Sequence, residues 1–116
     1  MQPKAATEKF GLRRDTVNQI NAVFAQYPEI EQVLIYGSRA KGDYRKGSDI
    51  DLTIVGASFT YRQLIRVGTE IDDLLLPYLM DLSLFSHIDN PDLIDHIQRV
   101  GKVFYQRQIE PTQEGV

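Results

Sequence analysis

Two short apolar segments separated by a basic stretch restrict the fold of this chain most. Residues 33–36 are rich in strand-forming side chains and are closed by Gly37, which is the pattern of a buried strand that ends in a turn. Residues 49–55 form a second such segment, in which Asp49 and Asp51 alternate with apolar residues. Residues two apart on a strand point the same way, so both carboxylates are predicted to share one face while Ile50 and its apolar neighbours face a core.

Helical periodicity predicts two helices around these strands. Apolar residues recur at helical intervals over residues 11–26 and again over residues 59–75. Pro28 follows the first pattern and Pro77 follows the second, and proline ends a helix because it lacks the backbone N–H. Each helix is amphipathic, so each is expected to pack one face on the sheet.

The C-terminal third of the chain predicts one more strand and one more helix. Alternation over residues 78–85 indicates a strand that carries Asp81 on its polar face. Asn90 followed by Pro91 is a helix start signal, because the asparagine caps free N–H groups and proline fits the first helical position. Residues 103–105 are predicted to form a short edge strand. The order of elements predicts an α/β fold, a small sheet with helices packed on it.

Length and composition limit the function further. At 116 residues the chain is predicted to be a single domain over residues 1–116, with loose ends at 1–8 and 107–116. It contains no cysteine, so a bound metal must be held by oxygen or imidazole ligands. No signal peptide and no apolar run of membrane-spanning length are found, so a cytoplasmic protein without a membrane partner is expected. The net charge of −3 makes nucleic acid an unlikely partner.

The segment between the two predicted strands reverses the overall charge. Residues 39–48 contain four basic residues and one acid, although the whole chain is acidic. Gly37 and Ser38 precede this segment and are predicted to open a helical turn, whose free N–H groups favour a phosphate. The Ser38 hydroxyl can donate to a phosphate oxygen, and Arg39 or Lys41 can neutralise a departing pyrophosphate. Gly37, Ser38, Arg39, Lys41 and Ser48 are therefore the predicted nucleotide-binding residues.

The three strand acids form the predicted catalytic and metal-binding set. Asp49 and Asp51 can hold hard cations, and two metal ions close together can organise an in-line displacement at phosphorus. Two carboxylates rarely complete such a site, and Asp81 is predicted to be the shared third ligand. The expected cofactor is Mg²⁺, as two ions, with ATP as substrate.

The spacing resembles a known family. Gly37-Ser38, ten residues, and Asp49-x-Asp51 match the signature GSX10DXD of minimal nucleotidyltransferases in the DNA polymerase beta superfamily, and residues 39–42 resemble the sequence that follows its serine. The resemblance implies a polymerase beta palm-like nucleotidyltransferase fold with a mixed sheet flanked by helices. It also implies a magnesium triad of Asp49, Asp51 and Asp81. Many such proteins are antitoxins that transfer AMP from ATP to a tyrosine of a HEPN-domain toxin, which is the expected partner and function here.

Two other functions stay open at this level. The chain could be a binding antitoxin that neutralises its partner by occlusion, although a complete triad favours catalysis. It could also add nucleotides to RNA ends, which its acidic balance disfavours. His87 and His96 are interpreted as surface residues or as residues behind the site. Residues 42–48 lack the lysine of a phosphate-binding P-loop.

Overall fold

A computed structural model of the protein describes residues 8–108, which contain four α-helices and six strands. A short N-terminal hairpin is followed by a sheet and its helices. In chain order the elements are β1 (Glu8–Lys9), β2 (Leu12–Arg13), α1 (Arg14–Phe24), β3 (Gln32–Tyr36), α2 (Ser38–Lys41), β4 (Ile50–Val55), α3 (Tyr61–Asp72), β5 (Met80–Leu84), a 3₁₀ turn (Phe85–His87), α4 (Pro91–Val100) and β6 (Lys102–Gln106).

The main sheet has four strands in the order β5-β4-β3-β6. β3 pairs antiparallel with β4 on one side and with β6 on the other, whereas β4 and β5 run parallel. The sheet is therefore mixed, and the prediction of a small sheet flanked by helices is confirmed. The parallel pair requires a crossover, and α3 supplies it between β4 and β5.

The two faces of the sheet differ in chemistry. Apolar side chains on one face form the core with α1 and α3, and Ile35, Leu52 and Ile54 are fully buried there. Because side chains alternate along a strand, the residues between them point to the opposite face. That second face carries polar side chains at consecutive cross-strand positions: Tyr36, Asp51, Thr53, Asp81 and Ser83.

The predicted elements are all present, with shifted ends. Asn90 caps α4 by accepting from the N–H groups of Asp92 and Leu93, with Pro91 at the first helical position, as expected. β4 begins at Ile50 rather than at Asp49, so Asp49 lies one residue before the strand and not within it. This departs from the predicted bounds of 49–55 and leaves the position of Asp49 to the preceding loop.

The predicted loose ends fall mainly on residues 1–7 and 109–116, which lie outside the described residues. Two residues at their margins do make backbone contacts. Glu8 belongs to the β1–β2 hairpin, and the Arg107 N–H donates to the Glu31 carbonyl at 3.0 Å. Within residues 8–108, no helix combines the length and apolar character needed to cross a bilayer.

The edge strand β6 contributes to the core through one aromatic residue. Phe104 is 2% exposed and contacts the rings of Phe10 and Phe24, with centroid distances of 5.9 and 6.5 Å. We expect Phe104→Ala to lower the free energy of unfolding by about 3–5 kcal/mol, because it removes a buried ring and leaves a cavity. Its neighbour Val103 is 44% exposed, and Val103→Ala should cost about 1 kcal/mol or less. Urea denaturation of both variants checks this, and equal losses would contradict it.

Candidate functional site

The turn after β3 packs directly against the carboxylate of Asp51. Tyr36 and Asp51 are register partners in the β3–β4 ladder, so the residue after Tyr36 reaches the Asp51 side chain. Gly37 has φ 74° and ψ −155°, a combination that only glycine adopts without strain. A Cβ at this position would lie 2.5 Å from Asp51 Oδ2. The sequence predicted that Gly37 admits a phosphate; the structure shows that it also makes room for Asp51.

Asp51 and Asp81 are direct neighbours across the parallel pair. They are register partners of β4 and β5, where adjacent strands lie roughly 4.8 Å apart, and side chains of paired residues share a face. Asp81 is exposed on the edge strand, whereas Asp51 is half-buried between β3 and β5. Asp49 is exposed and lies just before β4. Asp51 and Asp81 are therefore adjacent on the polar face, and Asp49 lies beside this pair, one residue before β4.

This grouping leaves unbalanced negative charge around Asp51. Burial raises the pKa of Asp51 above its ordinary value, and the nearby carboxylates of Asp81 and then Asp49 raise it further, with His96 opposing. Burial likewise raises the pKa of Tyr36, and Asp81 adds to the rise. A bound cation would relieve this repulsion, because it stabilises the ionised carboxylates.

The donor set suits a hard cation, although it does not form a closed cage. Carboxylate oxygens are the ligands that Mg²⁺ prefers. Within residues 8–108, no three His, Asp or Glu side chains lie close enough together to hold a metal ion by themselves. Mg²⁺ commonly binds through one or two carboxylates together with substrate phosphates, and the pair Asp51 and Asp81 with adjacent Asp49 fits that mode.

His96 lies behind the site, which is one of the two positions that the sequence interpretation allowed, but its partner there was not predicted. It lies on α4, and its Nε2 accepts a hydrogen bond from the Gly37 N–H at 3.2 Å. Its ring also meets the Tyr36 ring edge to face, with centroids 6.1 Å apart. His96 therefore holds the turn that precedes Ser38. A lone histidine on an amphipathic helix carries no signal in the sequence for such a contact with a turn far away in the chain.

Arg39 and Ser48 make hydrogen bonds inside the loop that leads into β4. The Arg39 side chain is buried and donates to the carbonyl oxygens of Ser48 and Phe10. The Ser48 hydroxyl accepts from the Arg45 N–H at 2.8 Å inside the loop. Both residues organise the loop, and the predicted contact of either one with a nucleotide stays a prediction.

Ser38 and Lys41 remain available at the site. Ser38 begins α2, a single turn whose first N–H groups have no partner within the helix. Lys41 is exposed and pairs with Asp43 at 3.6 Å, a surface ion pair that screening keeps weak. The structure thus brings Gly37, Asp51 and Asp81 together, with Ser38 following Gly37 in the chain and Asp49 directly preceding β4.

The chain matches the family model described as "Polymerase beta, Nucleotidyltransferase" over residues 18–110. That range includes every predicted site residue. A Methanocaldococcus jannaschii protein, MJ0604, named as a candidate protein adenylyltransferase, is 30% identical over 94 residues. The match covers 74% of this chain and 90% of MJ0604.

Solved structures share the fold. A chain of a toxin–antitoxin complex with AMP-PNP superposes with a TM-score of 0.63 at 19% identity, over 79% of this chain and 74% of that chain. A chain of the complex between tri-AMPylated Shewanella oneidensis HEPN toxin and MNT antitoxin gives 0.59 at 16% identity, over 82% and 73%. At these identities the structures establish a common fold.

The contact between Gly37 and Asp51 generates a first prediction for this site. Gly37→Ala should destabilise the protein more than Gly42→Ala, because Gly42 has φ 94° in ordinary left-handed space with no atom near its missing Cβ. The left-handed strain alone should cost Gly42→Ala about 1–2 kcal/mol. Thermal unfolding measures both losses. In an Asp51→Ala background the cost of Gly37→Ala should shrink, and an unchanged cost would contradict the contact.

The raised pKa of Asp51 generates a second prediction. The folded protein holds the Asp51 proton to higher pH than the unfolded chain does, so stability falls as pH rises through the folded-state pKa. Asp51→Asn should therefore unfold at a higher temperature than wild type in EDTA at neutral pH. The difference should disappear in acid, where both states of the wild type are protonated. Asp89→Asn, at an exposed position, is the control; an equal rise there would contradict the argument.

Proposed function

Since the chain belongs to the polymerase beta nucleotidyltransferase family, we propose that it is a Mg²⁺-dependent protein adenylyltransferase that moves AMP from ATP to a tyrosine hydroxyl of a HEPN-domain toxin, and thereby acts as an antitoxin. The acceptor part of this proposal is supported by the name of the relative MJ0604 and by the complexes to which the similar structures belong.

One observation carries the catalytic part of the proposal. The register of β4 with β5 makes Asp51 and Asp81 neighbours, and the register of β3 with β4 brings the Gly37-Ser38 turn to the same carboxylate. A nucleotide held at the turn is thus beside the acids. Phosphoryl transfer depends on positioning and charge more than on reactive side chains, and this arrangement supplies both.

The proposed reaction exchanges one phosphorus–oxygen bond for another. The acceptor hydroxyl oxygen forms a bond to the α-phosphorus of ATP, while the bond between the α-phosphorus and the bridging oxygen breaks and pyrophosphate leaves. The hydroxyl proton passes to a base, and Asp81, an exposed carboxylate on the edge strand, is the candidate for that role. The Ser38 hydroxyl donates to a triphosphate oxygen and fixes its orientation.

Asp49, Asp51 and Asp81 would hold Mg²⁺ together with phosphate oxygens. When bound, Mg²⁺ neutralises phosphate charge and favours departure of pyrophosphate. The carboxylates set the position at which the cation would bind. Asp51 is fixed between β3 and β5, and Asp81 lies next to it on the edge strand. Both are therefore held by the sheet before a nucleotide binds.

Substitution of the acids tests catalysis against occlusion. Asp49→Asn or Asp51→Asn should abolish transfer while the protein remains folded, because these carboxylates serve the cation rather than the core. Intact-mass spectrometry of the co-purified partner, with ATP and Mg²⁺, should find one or more added AMP groups only with wild type and with the control Asp89→Asn. Neutralisation of the partner by Asp49→Asn with no change of mass would replace catalysis by occlusion.

Nucleotide binding provides a test that needs no partner. ATP should bind together with Mg²⁺, because three carboxylates and a triphosphate repel one another without a cation. Ser38→Ala should weaken ATP binding by on the order of 1–3 kcal/mol, the value of a charge-assisted hydrogen bond. Isothermal titration calorimetry measures both effects. Equal ATP affinity in excess EDTA would contradict the proposed role of the acids.

A further inference from the structure

Arg39 differs from the other basic residues of its segment because its charge is buried. It is 3% exposed, whereas Lys41, Arg45 and Lys46 lie on the surface. In the described part of the chain, no carboxylate lies within salt-bridge distance of it. A buried charge without an ionic partner is costly unless hydrogen bonds compensate it, so the partners of this guanidinium indicate its purpose.

The hydrogen bonds of Arg39 converge on the peptide that precedes Asp49. Nε and Nη2 both donate to the Ser48 carbonyl oxygen, at 3.1 and 2.9 Å. Nη1 donates to the Phe10 carbonyl at 3.0 Å and ties the loop to the β1–β2 turn. The Ser48 carbonyl belongs to the peptide bond that leads into Asp49, so Arg39 restrains the backbone immediately before that acid.

Asp49 needs such a restraint because it lies outside the sheet. β4 begins at Ile50, so no ladder hydrogen bonds fix the Asp49 backbone as they fix Asp51. Arg39 also lies beside two aromatic rings, with its Cζ 5.3 Å from the centroid of Tyr44 and 5.1 Å from that of Tyr78. Tyr44 is part of the loop, and Tyr78 lies in the segment that enters β5 and Asp81.

We propose that Arg39 is a positioning residue that sets Asp49 in place relative to the Ser38 turn and to Asp81. One guanidinium follows Ser38 in the chain, bonds the peptide before Asp49, and contacts the ring ahead of Asp81. It acts on the cation site through the backbone and does not touch the triphosphate. The inference rests on the proposed function, because cation binding is the purpose that it gives to this arrangement of residues.

Lysine cannot replace this arginine. The planar guanidinium donates several hydrogen bonds in a fixed fork and stacks on aromatic rings, whereas an ammonium group is a compact point charge. Arg39→Lys keeps the positive charge but should lose the paired bonds to Ser48. A residue that supports a metal ligand from behind typically changes metal affinity or activity by roughly 10–100-fold when it is mutated.

The test measures cation binding and nucleotide binding separately. Mn²⁺ binding, followed by electron paramagnetic resonance with AMP-PNP present, should weaken roughly 10–100-fold in Arg39→Lys. In calorimetry with saturating Mg²⁺, the affinity for AMP-PNP should change by less than about threefold. The loss of a hydrogen bond between protein and nucleotide would cause a larger change. Arg45→Lys, at an exposed arginine of the same loop, is the matched control and should behave as wild type.

Any other result overturns the inference or gives Arg39 a different role. Unchanged Mn²⁺ binding in a folded Arg39→Lys overturns the inference, and a loss of AMP-PNP affinity with Mn²⁺ binding unchanged makes Arg39 a phosphate ligand. If Arg39→Lys does not fold, Tyr44→Leu, which removes one ring contact, must show the selective loss of Mn²⁺ affinity, and its absence overturns the inference. A wild-type protein that binds no Mn²⁺ overturns the proposed function and this inference together.

Discussion

The approach of the Asp51 carboxylate to Gly37 is the constraint on which the rest of the site depends. The antiparallel register of β3 and β4 places the turn after Tyr36 against Asp51, and the space where a Cβ would be is occupied by Oδ2. A shift of β4 by one residue in that register would turn Asp51 and Thr53 to the core face and move Leu52 out of the core. The apolar core therefore fixes the site, because Ile35 and Leu52 permit only one pairing.

The same geometry places like charges together at a cost in stability. Burial and two neighbouring carboxylates raise the pKa of Asp51, so the ionised form is strained in the metal-free fold. Protein cores normally exclude such groups, and sites that bind charged ligands are where they are retained. The negative charge that weakens the free protein is also the charge that would attract a cation.

Local sequence patterns predicted the helices and strands, and helix capping, which is also local, predicted where a helix begins. Asn90 and Pro91 start α4 as the sequence indicates, because capping involves only residues within one turn. The carboxylates of Asp51 and Asp81 were predicted from alternation, which is also a local property of strands. By contrast, Arg39 was predicted to contact a phosphate because it follows Ser38, and nothing in the sequence indicated that it also contacts Phe10 and Tyr78, which are distant in the chain. No local pattern marks such contacts.

The sequence by itself determined the four strands of the main sheet, the helices, the Gly37-Ser38 turn and the acids, because these depend on side-chain periodicity and on the conformational limits of glycine and proline. The tertiary structure alone decided that β6 pairs with β3, that His96 accepts from the Gly37 N–H, and that Arg39 restrains the peptide before Asp49. The first two contacts join residues far apart in the chain, and the third spans the loop between α2 and β4. They form only when burial of the apolar face selects one register, and burial is a property of the whole fold.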